Sequence, residues 1–475
     1  MKTLWLGPLL LVLMVTSVVA ETLPRPDQLE FPPLEIEFPE IARTKLDNGM
    51  RLYVREDDEL PLINITLMIE GGSIYDPPQQ TGLAELFAQT LETGGAGDMS
   101  PQQLEETLDR LAAQLSVASS SYAYQIDLSV HQQDLDLGLD LLAALLRRPA
   151  FDPERLELAR ARLLEGIHRR NDNPSSIAGR YLARAVNPGH PFGSEATVAT
   201  VSGLTRDELL ALHQRFFHPS RIWWGVSGAV DASHLKARLE ELFGDWQTSP
   251  TADVEMPPLP PEPGAQVFVI DRELPQTTVL MGHRGISKDA PDFMALRVAN
   301  YIFGGGGFNS RLMREIRSNR GLVYSIYSQV QLGRILPELF VIGGETRNDT
   351  AVEMVVSVTE MLEELVTTGV TDSELELAQN SLVNSFIFAF ENTHAVVTQN
   401  LRLDYYDYPG DYLQTYQQQI RALTAADIQQ AAQNYLHPDR LQIVLVGDAK
   451  VLLPELSKQG FAAVVLVNLD EPDTL

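Results

Sequence analysis

One helix–turn–strand unit occurs twice in this chain at a fixed separation, and that repeat constrains the fold more than any other feature. Residues 204–221 read LTRDELLALHQRFFHPSR, and residues 423–440 read LTAADIQQAAQNYLHPDR, 219 positions apart throughout. Each copy opens with Thr at a helix N-cap, continues through an acidic first turn and an apolar helical stripe, and closes on an aromatic residue, His-Pro and Arg. Each then runs into a β-rich segment ending in glycine, Ile222–Gly228 and Leu441–Gly447. A period this long indicates two duplicated domains, not a stack of short repeats. Five prolines between Pro257 and Pro263 make Ser249–Gly264 a stiff extended spacer. The expected organisation is a domain at 41–248, a linker at 249–264 and a second domain at 265–475.

Within the first half, Arg51–Arg55 and Leu62–Ile69 alternate as strands, the first preceded by the tight-turn dipeptide Asn48-Gly49. Thr81–Thr93 reads as a helix stopped by Gly94-Gly95. Ser100–Leu115 and Asp134–Leu146 carry helical periodicity, with a strand at Tyr124–Val130 between them. Strands and helices alternate without a nucleotide-binding glycine loop. The expected fold class is therefore α+β, two homologous α/β sandwich domains.

Charge narrows the partners. With 64 acidic against 36 basic residues the formal net charge is −28, and no basic cluster interrupts it, which excludes a nucleic-acid partner. Residues 1–20, MKTLWLGPLLLVLMVTSVVA, have the order of a secretory signal peptide with cleavage after Ala20, followed by an extension at 21–40. The expectation is a periplasmic or secreted protein with no stable membrane span after cleavage; an uncleaved N-terminal anchor is the alternative. The absence of cysteine rules out disulfides, thiolate metal sites and a cysteine nucleophile.

From Glu70 onward a strand ends in Glu70-Gly71-Gly72-Ser73, followed by Asp76-Pro77 and by Thr81-Gly82-Leu83-Ala84 opening a helix. This order resembles the pitrilysin/insulinase-type zinc peptidases, processing peptidases among them, in which it leads into the inverted motif H-x-x-E-H. The resemblance implies that two histidines and a distal glutamate hold zinc there, while the motif glutamate activates its water. Here the five positions are Glu85, Leu86, Phe87, Ala88 and Gln89. Both histidines and the general base are replaced. Glu165, 76 residues beyond Gln89, stands at the distal-ligand position. None of the nine histidines forms an H-x-x-x-H pair, and two carboxylates make a poor zinc site, so no metal is expected in this chain. His218 and His437, in the repeated His-Pro turns, read as structural.

A second motif, FGGGGFNSRLMREIRSNRGLVYSIYS at 303–328, also resembles that family. Its pattern is a glycine-rich turn, a helix opening with Ser310-Arg311-Leu312, and an arginine seven residues before a strand tyrosine. The resemblance places Arg317 and Tyr324 as the pair that binds substrate backbone and stabilises the oxyanion, chemistry suited to a guanidinium and a phenol. More weakly, it places Gly305, Gly306 and Phe308 against substrate. Arg314 and Arg320 read as solvated helix charges. No Lys-Ser/Thr follows the glycines, so a phosphate loop is not expected.

The implied function is the non-zinc subunit of a heterodimeric metallopeptidase, lending Arg317 and Tyr324 to a homologous zinc-bearing partner that hydrolyses peptides. The alternatives are a non-catalytic scaffold or peptide-binding protein with the same fold, and an enzyme with zinc at an unrecognised site.

Overall fold

The computed structural model describes residues 38–247 and 256–469. The expected signal peptide, nearly all of the 21–40 extension and positions 249–255 of the linker lie outside them. The first half forms a six-stranded sheet from β1 (Ala42–Lys45), β2 (Arg51–Glu56), β3 (Leu62–Glu70), β4 (Gln114–Ser119), β5 (Ala123–His131) and β6 (Ile222–Gly228), in the order β1-β2-β6-β3-β5-β4. The second forms another from β7 (Gln266–Asp271), β8 (Gln276–Arg284), β10 (Val323–Val330), β12 (Leu339–Arg347), β13 (Gln442–Gly447) and β14 (Val464–Val467), in the order β10-β12-β8-β13-β7-β14. Two short strands, β9 (Ile286–Ser287) and β11 (Leu332–Gly333), pair separately. Strand β6 shows why the centre of a sheet reads as a continuous apolar run: between β2 and β3, IWWGVSG is covered on both faces. Strand β5 alternates buried and half-buried residues, with one face on the helices.

Helices α1 (Leu83–Thr93), α2 (Pro101–Leu111), α3 (Leu135–Arg147), α4 (Pro153–Arg169), α5 (Pro174–Val186), α6 (Val198–Ser202), α7 (Arg206–Phe216) and α8 (Ala232–Phe243) belong to the first half of the sequence. The second half carries α9 (Phe293–Asn300), α10 (Ala351–Thr368), α11 (Asp372–Ser385), α12 (Thr393–Tyr405), α13 (Tyr412–Ala422), α14 (Ala425–Tyr435) and α15 (Ala449–Lys458). The repeated units are α7–β6 and α14–β13. Thr205 with Glu208 and Thr424 with Asp427 form the expected capping boxes. In the His-Pro turns, the buried ring of His283 accepts the His437 backbone N–H at its Nε2 (3.1 Å), tying β8 to the second turn.

The expected helix Ser100–Leu115 is shorter. It ends at Leu111, where Ala112 adopts a left-handed conformation (φ 47°), and Gln114–Ser119 is instead the edge strand β4. Leu104, Leu108 and Leu111 form a helical stripe that Leu115 extends by its spacing alone, which is why the two elements read as one.

The two halves exchange helices. Helix α5 packs across β8 and β13 of the second sheet, where Ile177, Tyr181 and Leu182 meet Phe268, Leu280 and Val444. Helix α12, 219 positions later, packs across β2 and β6 of the first sheet, where Val397, Leu401 and Tyr405 meet Tyr53, Met68 and Trp223. Gly225 in β6 lets this helix sit close, because a Cβ would lie 3.0 Å from the methyls of both Val397 and Leu401, which would have to give way. Polar contacts lock the second clasp: Trp223 Nε1 donates to Asp404 (2.6 Å), Tyr405 Oη to the Tyr122 carbonyl (2.6 Å), and Arg43 to Asn400 (2.7 Å). Among the described residues no helix is long and apolar enough to cross a membrane.

Candidate functional site

Helix α1 starts where it does because Asp76 caps it. The buried carboxylate accepts the N–H groups of Gly82 (3.0 Å) and Ala84 (3.1 Å), and Gly82 takes the left-handed conformation (φ 101°) that lets the chain enter the helix. Burial pushes the Asp76 carboxyl up to about 7, against the lowering effect of those N–H donors. Asp76-Pro77 and Thr81-Gly82-Leu83-Ala84 thus have a local role in fixing the helix that the family uses for its metal.

The outer face of α1 borders a cleft of about 480 Å³, walled by Glu85, Ala88 and Gln89 on one side and Val117–Ser119 of β4 on the other. Glu85 is exposed to the cleft, accepts a hydrogen bond from Gln89 Nε2 (3.3 Å), and its carboxyl is raised by the desolvating walls. Glu165 does not join them. It points to solvent on α4, 3.5 Å from Arg169 one turn on, and is absent from the cleft wall. At the distal-ligand position expected from its spacing, this side chain has turned to an i,i+4 partner on its own helix. One carboxylate, one amide and a methyl are not a zinc donor set, and among the described residues no three His, Cys, Asp or Glu side chains group to hold a metal. His213 is a structural histidine whose Nε2 meets the Leu146 carbonyl (2.8 Å), with burial lowering its pKa to about 4.

The second motif lies on the edge of the other sheet. The chain leaves α9 through a π-helical turn, Tyr301–Gly305, closed by Gly306 N–H to Tyr301 C=O (2.8 Å). Gly304 is fixed by packing: a Cβ would sit 2.5 Å from the backbone N and Oγ of Ser328 in β10. A Cβ on Gly305 or Gly306 would likewise press on Asn300 or Tyr301. Packing thus accounts for glycine at these two positions, while Gly305 itself remains exposed. Ser310 caps the next helix, accepting from Met313 N–H (3.3 Å). Arg311 makes a bidentate pair with Glu374 at the start of α11 (2.8 and 2.7 Å), and Leu312 is fully buried. Each letter of Ser-Arg-Leu therefore holds the following segment in place. That segment, Met313–Asn319, is π-helical, a widened geometry common at functional sites.

Arg317 comes from that segment. Its guanidinium lies 4.5 Å from the Phe308 ring centroid and 5.1 Å from that of Tyr324, and among the described residues no carboxylate is within ion-pair distance. Phe308 is 72% exposed and Tyr324 85%. The structure thus sets Phe308 beside the expected Arg317–Tyr324 pair: a cation held by two aromatic faces, its donors free, at the open edge of β10. Arg320 is no purely solvated charge, because it bonds Glu315 (2.8 Å) and Ser357 (2.8 Å). Arg314 reaches Glu374 at 3.4 Å.

Comparison with known proteins identifies the family and the fold. Residues 53–198 match the family description "Insulinase (Peptidase family M16)", and residues 203–382 match "Peptidase M16 inactive domain". The chain is 27% identical over 415 residues to an uncharacterized zinc protease of Mycobacterium leprae, covering 84% of this chain and 89% of that one. It is 24% identical over 398 residues to a non-peptidase homolog of Helicobacter pylori, covering 83% and 91%. A crystal structure of a peptidase M16 inactive domain from Pseudomonas fluorescens superposes with a TM-score of 0.79 at 23% identity, over 86% of this chain and 98% of that one, which shows a shared fold.

Proposed function

This chain belongs to the insulinase family of peptidases, family M16, as a member without the zinc ligands, and on that premise we propose that it is the non-zinc subunit of a two-chain metallopeptidase. The partner is a homologous subunit carrying zinc; this chain supplies Arg317 and Tyr324, and the substrate is a peptide. The single observation that carries the proposal is the division between the two halves. On α1 the chemistry is gone, yet Arg317 is kept unpaired between Phe308 and Tyr324 on a helix whose every motif residue anchors it. A guanidinium with no carboxylate partner and a neighbouring phenol are suited to a developing oxyanion. Residues 1–20 support export, so the assembly is placed in the periplasm or outside the cell.

The test is reconstitution with a histidine-bearing homologue from the same host. The pair should cleave unfolded peptides in a chelator-sensitive way, and each chain alone should be inert. Arg317→Gln should lower kcat of the pair by about 10²-fold or more, the scale of losing one oxyanion donor, and Tyr324→Phe should lower it too, with complex formation unchanged. Activity indifferent to both substitutions favours a non-catalytic scaffold. Chelator-sensitive cleavage by this chain alone removes the two-chain reading.

A further inference from the structure

A second cavity, of about 520 Å³, lies on the face of the first sheet away from α1. Strand β4 is the partition, since Ala118, Ser119 and Ser120 line both hollows. The floor is Met68, Ala123 and Gln125, and the rest comes from α9, Leu332 of β11, α12, the segment after it and the start of α13. A space of this size is on the scale of specific ligand sites.

Its charge is the reverse of the chain's. With 64 acidic residues against 36 basic ones, an ordinary stretch of this surface is acidic. The cavity wall contains no Asp or Glu and two arginines, Arg297 of α9 and Arg402 of α12. Among the described residues neither has a carboxylate within ion-pair distance, whereas nearby Arg334, 4.0 Å over the Tyr405 ring, is paired with Glu70 at 3.1 Å. Arg297 is instead braced by the aromatic wall, its guanidinium 5.2 Å from the Tyr416 centroid and donating a hydrogen bond to the Tyr412 hydroxyl. Tyr406, Tyr408 and Tyr412 complete the wall, Tyr408 and Tyr412 with ring centroids 4.6 Å apart. Burial raises all three phenols, so they remain neutral donors.

We infer that this cavity is a carboxylate-binding site for peptides, with Arg297 and Arg402 taking a C-terminal or side-chain carboxylate and the tyrosines packing against the residue that bears it. Forked guanidinium donors match the two oxygens of a carboxylate, and hydrogen bonds to an ionised acceptor are the stronger kind. Aromatic faces with polar tips bind the amphipathic remainder at low entropic cost. That the carboxylate belongs to a peptide rests on the function proposed above; the site itself needs neither metal nor partner and does not use Arg317, so this binding test and the reconstitution test can fail independently.

The test is calorimetric titration of the full single chain with acetyl-Ala-Ala-Phe, its C-terminal amide, and acetyl-Ala-Glu-Phe amide. The free acid should bind at least about tenfold more tightly than the neutral amide, the effect of one good charge-assisted contact. The R297Q/R402Q variant should lose that preference without a change in Tm. R402Q alone, at an exposed side chain, should lose part of it and guards against misfolding. Tight binding of the Glu amide identifies a side-chain carboxylate as acceptable; its failure restricts the site to chain termini. Equal binding of acid and neutral amide, an acid preference that survives in R297Q/R402Q, no binding of any acid, or equally tight binding of inorganic phosphate would each overturn the inference.

Discussion

The pair Arg311–Glu374 lends itself to a quantitative test, because it anchors the helix that carries Arg317. Both side chains are largely enclosed, 12% and 17% exposed, and the contact is bidentate at 2.8 and 2.7 Å. The Arg311 hydrogen bonds, reinforced by Thr371, hold the Glu374 carboxyl down at about 2, against an ordinary value of 4.5. At about 1.4 kcal/mol per pH unit, that depression is worth at most about 3.5 kcal/mol at neutral pH, which solvent screening at the partly exposed edge of the pair reduces to about 2–3 kcal/mol. The sign follows from a folded-state pKa below the unfolded one. The contribution is fully present above pH 4.5 and disappears as pH falls toward 2. Glu374→Gln keeps the shape and removes the charge. Denaturant unfolding of both proteins should show a gap of about 2–3 kcal/mol at pH 7 that has shrunk by about half at pH 3. Amide exchange across Met313–Asn319 should quicken in the variant. A gap under about 0.5 kcal/mol at pH 7, the worth of an ordinary surface pair, would refute the reasoning, as would a gap unchanged at pH 3.

Other expectations concern the clasp, a core histidine and the lost metal. Leu401→Ala and Leu182→Ala, each removing a buried leucine from one exchanged helix, should each cost about 2–5 kcal/mol and lower a single unfolding transition; two separate transitions would contradict a chain clasped in both directions. Gly225→Ala should cost about 1–3 kcal/mol by overpacking, and Leu401→Ala in the same chain should recover part of it, as a thermal melt of the double variant would show. His213, lowered by burial to about 4, favours its neutral form when folded, so stability should fall by up to about 3 kcal/mol as pH drops from 6.5 to 4. His213→Leu should flatten that slope, measured by urea titration. Zinc should leave the Tm of the native chain unchanged but raise that of Glu85→His/Ala88→Glu/Gln89→His, which restores the motif on α1.

Much of this was legible in sequence because it is local. Capping residues, a stop at Gly94-Gly95 and a 219-residue offset need no knowledge of distant partners, and they located α1, α7, α14, β6 and β13 to within a residue or two. The Arg317–Tyr324 pair was legible through the resemblance carried by the whole 303–328 string; an arginine seven residues before a tyrosine would not have marked it by spacing alone. What failed was long-range or accidental. Leu115 fell on a helical spacing by chance and hid β4. Glu165 sits on the expected helix, but which way it turns depends on Arg169. Nothing in α5 or α12 tells which sheet each amphipathic face will cover, because a stripe of leucines fits either one. Arg297 and Arg402 lie 105 positions apart on different helices, so only the fold makes them neighbours.

The crossed helices α5 and α12 also decide where movement can occur. Separating the two sheets would strip a helix from each at once, exposing Leu182 and Leu401 to water together. That double exposure opposes any parting of the two halves. If a second chain encloses a chamber with this one, opening along the seam between the molecules exposes neither leucine.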